Sequence, residues 1–190
     1  MDKTYRNELR RLFLIEHLPE PLTRADRHLQ IFDNYLENTR LRLRSVRVPE
    51  TKEWNWILQQ RLATDETGAR WKIAEIHLNE TEYHLFEQFE GREIRKNRYF
   101  YESDGKQIEI DVFLGDLWGL NLARVGFETI EELRDFQFPF TTLEVTNDEF
   151  FNGENLVEKR FADVQDRVAE IVENLHSRDT ITREIAKENE

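Results

Sequence analysis

Through the first two thirds of the chain, apolar and polar residues exchange places at every second position. That is the period of a strand with one apolar and one polar face. Leu41–Val48 (LRLRSVRV) alternates most cleanly. The same pattern predicts strands at Glu8–Ile15, Gln30–Leu36, Trp54–Arg61 after the break at Pro49, Trp71–Leu78, Ile94–Glu102, Gln107–Phe113 and Leu122–Phe127. Ser103-Asp104-Gly105-Lys106 reads as a hairpin turn, because Asp-Gly supplies the positive φ angles that a tight turn requires. With short connections, the eight strands are expected to be mostly antiparallel.

Helical spacing interrupts this pattern in three places. Asn79 with Glu82 is a capping-box signal ahead of Tyr83, Leu85, Phe86 and Phe89, and Thr129 with Glu132 is another ahead of Leu133 and Phe136. Phe161, Val164, Val168, Ile171, Val172 and Leu175 recur at the spacing of one helix face. A helix over about 160–177 should therefore dock on the sheet, followed by a polar tail at 178–190. No repeat or linker divides the chain, so residues 1–190 read as one α+β domain with a core at about 8–156.

A length of 190 residues with 38% hydrophobic content suits one globular domain. No apolar run reaches membrane-span length, and Met1–Glu8 lacks the pattern of a signal peptide. The absence of cysteine excludes disulfides and thiolate metal sites, which makes a cytoplasmic location the expectation. A formal net charge of −12 argues against nucleic acid as a partner unless the 27 Lys and Arg residues are segregated. Their placement is therefore the informative feature.

Arg42 and Arg44 share one strand face, as do Lys96 and Arg98. Glu109 and Asp111 oppose Ile108, Ile110 and Val112, while Arg70 and Lys72 oppose Trp71 and Ile73. Arg124 opposes Ala123, Val125 and Phe127. A sheet with one face on helices and the other in water would account for the alternation alone. However, the polar faces are rich in arginine in a strongly acidic chain, and eight strands suffice to close a sheet around a ligand-sized interior. The five histidines show no ligand spacing, Gly115 and Gly119 suit turns, and the four tryptophans suit packing.

Taken in order, these segments resemble the CYTH, or triphosphate tunnel metalloenzyme, family. The resemblance lies in Tyr35-Leu36 with Leu41-Arg42-Leu43-Arg44, Lys96-Asn97-Arg98-Tyr99 and Glu109-Ile110-Asp111. It continues through Gly119-Leu120, Ala123-Arg124-Val125-Gly126-Phe127, Glu144-Val145-Thr146 and Asn152. It implies an eight-stranded antiparallel closed tunnel with helices outside. Inside, family members bind triphosphates and, with Mg²⁺ or Mn²⁺, hydrolyse or cyclise them.

The departures fall on the family's acids. Arg10 and Leu12 stand where the first strand would carry a second glutamate and a lysine. Arg70 is followed by Lys72 and Ala74 rather than alternating glutamates, and Arg124 and Gly126 replace two alternating acids. Divalent ions need such oxygen ligands. The expected anion site is Arg10, Arg42, Arg44, Arg70, Lys72, Lys96, Arg98 and Arg124, with Glu8, Glu109 and Asp111 as metal ligands only in an active enzyme.

Three functions follow from this reading. The first is a metal-independent module for a small phosphorylated anion (a triphosphate, nucleotide or polyphosphate) with little or no turnover. The second is a phosphohydrolase or cyclase with a rebuilt Mg²⁺ or Mn²⁺ site that uses Glu8, Glu109 and Asp111 with Glu75 or Glu128. The third is a structural or interaction protein that packs its charges internally. The sequence leaves open the ligand, any remaining catalysis, the oligomeric state (a dimer included) and the register of the strand from Arg70 to Leu78.

Overall fold

The computed structural model describes residues 5–64, 67–140 and 142–188, with side chains through 175. Eight strands follow the predicted segments closely. They are β1 (Arg6–Leu14), β2 (Leu29–Leu36), β3 (Leu41–Arg47), β4 (Trp54–Ala63), β5 (Arg70–Leu78), β6 (Gly91–Ser103), β7 (Lys106–Phe113) and β8 (Asn121–Phe127). A two-residue β9 (Leu143–Glu144) completes the set. The hydrogen-bonded order is β5-β4-β3-β2-β6-β7-β8-β1-β9, and β1 also pairs with β5. That last pairing, Arg6↔Ile73 through Leu9↔Arg70, closes the sheet into an antiparallel barrel. The remainder of β1 continues along β8, and its far end takes β9.

The β6–β7 hairpin turns at Asp104 (φ 50) and Gly105 (φ 73). Both angles lie in the left-handed region, which Asp and Gly tolerate best. Four helices lie around the strands: α1 (Glu80–Phe86), α2 (Ile130–Asp135), α3 (Gly153–Leu156) and α4 (Phe161–Glu188). Asn79 caps α1 with the full capping box. At α2, Thr129 accepts from Glu132 N–H, but the Glu132 carboxylate accepts from the Glu128 backbone rather than that of Thr129. Helix α4 runs on through the segment expected to be a polar tail. Among the described residues, no helix is long and apolar enough to cross a membrane.

The apolar faces of β1, β6, β7 and β8 point outward. Phe13, Tyr99, Ile108, Ile110, Ala123 and Val125 form a core beneath Leu133, Phe136 and Phe138. A second cluster closes one end of the barrel, where Leu12, Ile94, Phe113 and Leu122 meet Phe151, Leu156 and Val164. This closure brings Gly153 against Tyr35 so tightly that a Cβ there would overlap the tyrosine hydroxyl. The polar faces are consequently left to line the interior.

Candidate functional site

Cross-strand register fixes which side chains share the interior, because directly opposed residues point to the same face. Arg10 lies opposite Gly126, Arg124 opposite Glu109, and Asp111 opposite Arg98. Asp33 lies opposite Arg44, and Arg42 opposite Gln59. Arg10, Arg42, Arg44, Lys96 and Arg98 are all buried there, at 6–9% exposure, while Arg124 is partly buried. Six of the eight expected anion-site residues therefore line the tunnel.

Arg70 and Lys72 do not. Both are exposed on the outer face of β5, whereas Trp71 and Ile73 are buried. The pairings Glu8↔Trp71 and Arg61↔Ile73 set this register. On β5 it is the apolar face that turns inward, because Trp71 covers two guanidiniums. The Arg10 Cζ lies 4.5 Å from the Trp71 ring centroid and the Arg61 Cζ 5.1 Å from it.

The sequence reading missed Asp33, Arg61, Tyr35 and Gln59 as interior residues, whereas Glu75, one of its candidate acids for a rebuilt site, does reach Gln59. Asp33 is fully buried and accepts from Arg44 at 2.6 and 2.8 Å and from Arg42 at 3.4 Å, with Lys96 Nζ at 3.7 Å. Asp111 accepts from Arg98 at 2.6 and 2.7 Å and pairs with Lys96 at 2.7 Å. Glu109 pairs with Arg98 at 2.7 Å and accepts from Arg124 Nε at 2.9 Å. Glu8 accepts from Arg61 at 2.6 Å and from Arg124 at 3.4 Å. Gln59 bridges Arg42 to Glu75, and Tyr35 accepts from Arg42 at 3.1 Å.

Arg10 differs from the other interior bases. Its Nη2 donates to Asn152 at 2.9 Å, and among the described residues it forms no salt bridge and its buried Nε has no hydrogen-bond partner. Burial lowers its pKa to about 10, with Glu8 the leading opposing influence. Arg61 is likewise pushed well down by burial, again opposed first by Glu8. Glu8 itself falls to about 2, because Arg124, Arg61 and Arg10 together outweigh the upward push of burial.

These residues do not fit a divalent ion. Glu109 and Asp111 are each already engaged by two cations, and Glu8 by three. No group of three or more acids or histidines is arranged to hold a metal among the described residues. The interior bases also outnumber the interior carboxylates, so the local field repels a cation. The void within is only about 50 Å³, room for roughly one or two waters. A larger cavity of about 550 Å³ opens beside it and shares Tyr35, Arg42 and Arg61 with that void.

An eight-stranded antiparallel barrel closed around charged side chains is the architecture of the triphosphate tunnel proteins, and this chain has that fold. Two solved structures of NE1496 align with it. One, described as a hypothetical protein, has a TM-score of 0.54 and 23% identity over 80% of this chain and 99% of its own. The other, described as an inorganic triphosphatase, has a TM-score of 0.53 and 25% identity over 79% of this chain and 93% of its own. No protein-family model matches the sequence, and no curated protein matches it either.

Proposed function

We propose that this protein binds a small phosphorylated anion, of the triphosphate, nucleotide or polyphosphate type, without a metal ion and with little or no turnover. The observation that carries this reading is Arg10, a buried guanidinium that has no carboxylate partner among the described residues and an unsatisfied Nε. An uncompensated buried charge is costly, and a phosphate oxygen would relieve it through a charge-assisted hydrogen bond. Arg42 and Arg61, which line both voids, extend the same basic surface toward solvent. The likeness to a structure described as an inorganic triphosphatase supports a triphosphate-type ligand.

A specific observation favours a second reading, in which the charges are purely structural. Most interior cations are already neutralised by acids, above all by Asp33.

Calorimetry with tripolyphosphate and with ATP, in EDTA and in Mg²⁺, separates these possibilities. Binding in chelator, with no gain from Mg²⁺, is the expected result. Gly126→Glu sharpens the test, because Gly126 faces Arg10 across the β1–β8 ladder and a Cβ there meets only Leu9 O, at 4.0 Å. A carboxylate supplied at that position should displace the anion. Binding only with Mg²⁺, or metal-dependent hydrolysis lost in Asp111→Ala, would return the function to a rebuilt metal site. No binding under any condition would leave the structural reading.

A further inference from the structure

Among the described residues, the smaller void is lined by six guanidiniums and Lys96 against a single carboxylate, that of Asp111. Six of these seven bases share four carboxylates, those of Glu8, Asp33, Glu109 and Asp111. Arg10 is the seventh. Only 8% exposed, it gives Nη2 to Asn152 and lays one face on Trp71, which leaves its Nε–H without an acceptor. Much of the remaining wall is apolar, from Leu12, Ile94, Phe113, Phe151 and Leu156.

We propose that this void is a binding site for one monatomic monovalent anion, a halide of the size of chloride, held by Arg10. A water there would satisfy Nε–H but leave the guanidinium charge uncompensated, and the charge is the larger cost. An anion answers both. Size then selects among anions, since a void of about 50 Å³ has room for roughly one or two waters. Chloride takes about the space of one water, whereas gluconate or a triphosphate enters only by displacing side chains. The apolar wall lowers the local dielectric and so strengthens the attraction. It also favours ions that shed water readily, chloride and bromide over fluoride. Tyr35, Arg42 and Arg61 line both this void and the 550 Å³ cavity, which gives the ion a way in. The halide site goes beyond the polyphosphate reading and does not depend on it; a larger anion would have to displace the halide.

Thermal unfolding in sodium chloride and in sodium gluconate, at equal ionic strength, isolates the effect because screening is then the same. Chloride at about tenfold its Kd should raise the midpoint by about 4 °C in a chain of this size. Bromide should match chloride, and fluoride should behave as gluconate does. The shift should vanish in Arg10→Met, and also in Gly126→Glu, which supplies a carboxylate opposite Arg10 in the halide's place. Lys72→Ala, on the outer face of β5, should keep it. Broadening of the chloride NMR resonance by the wild type, lost in Arg10→Met, reads the same site without unfolding. No difference between the two salts and no broadening would overturn the inference, and would leave the polyphosphate reading to its own calorimetry. A shift that persists in Arg10→Met or Gly126→Glu would place the halide elsewhere and overturn it too. Where tripolyphosphate binds in EDTA, it should bind about tenfold tighter in gluconate than in chloride, because it must first expel the halide. Tripolyphosphate binding of equal strength in the two salts would likewise put the halide away from Arg10.

Discussion

The two sides of the tunnel handle buried charge differently. Where β6 meets β7, Arg98 sits between Asp111 and Glu109. Burial alone would lower its pKa, yet these two acids hold it above its ordinary value. Where β1 meets β5 and its neighbour β4, burial wins, and both Arg10 and Arg61 are lowered with Glu8 as their main support. Asp33 lies between these extremes and is over-committed, since it serves Arg42, Arg44 and Lys96 at once. Arg44 is lowered despite its two bonds to Asp33, because burial and the charge of Arg42 outweigh them. Lys96 falls to about 8 through burial, even beside Asp111 and Asp33. On the proposed reading, the matched charge on one side is scaffold, and Arg10 on the other side is the group left to meet an anion.

The largest expected effect comes from removing the shared acid. Asp33→Asn keeps the shape but leaves Arg42 and Arg44 without a carboxylate and Lys96 with Asp111 alone. Breaking a buried pair by deleting one partner costs about 3–5 kcal/mol, which urea denaturation will read. A loss below about 1 kcal/mol would mean that water already solvates these cations, and that the interior is wet rather than matched.

The next effect is a pH dependence. The carboxyl of Glu8 has a folded pKa of about 2 against an ordinary 4.5. The unfolded state therefore binds more protons between those values. The stabilisation is complete above pH 4.5 and is lost as pH falls toward 2. It amounts to about 3 kcal/mol for a group whose side chain is only 12% exposed. Stability profiles should show a shallower acid limb in Glu8→Gln than in the wild type. Identical limbs would place the acid lability elsewhere, on Asp33 or Asp111.

A direct contrast of the two sides comes third. Arg98→Met removes one of the two cations beside Asp111 and one of the two beside Glu109, and should cost about 3–5 kcal/mol. Arg10→Met removes a guanidinium that has no counter-ion, so stability should change little or rise, while tripolyphosphate affinity in EDTA falls about tenfold. If Arg10→Met costs as much as Arg98→Met, then Asn152 and Trp71 are sufficient partners and Arg10 is scaffold as well.

Most of this fold was legible because the strands alternate so regularly. Every predicted strand is present, and the Asp104-Gly105 turn formed as its residue types required. The interior was legible wherever the inward face is uniformly polar, as at Arg42 and Arg44 or Lys96 and Arg98. It was not legible on β2, where the inward face reads Ile31, Asp33, Tyr35 and resembles ordinary core. Arg61 ends a segment of mixed character in which alternation gives no clear face. The partnerless Nε of Arg10 lay beyond any sequence reading, because it depends on which acids reach it across the barrel.

The smallest effect tests the register of β5. Lys72 points inward only if the polar face of this strand lines the tunnel, a register that the sequence leaves open. Burial alternates the other way along Arg70–Ile73, and the pairing of Glu8 with Trp71 fixes that face beside Arg10. A surface lysine away from the site should be nearly neutral, so Lys72→Ala should change stability by less than about 0.5 kcal/mol. Tripolyphosphate affinity should stay within about twofold. Arg61→Gln, one strand away but inward, should weaken the same binding about tenfold. A slip of one residue exchanges every side chain between the faces of a strand. Strong loss in Lys72→Ala with none in Arg61→Gln would therefore mean that β5 pairs one residue out of step, with Trp71 outside and the basic face within.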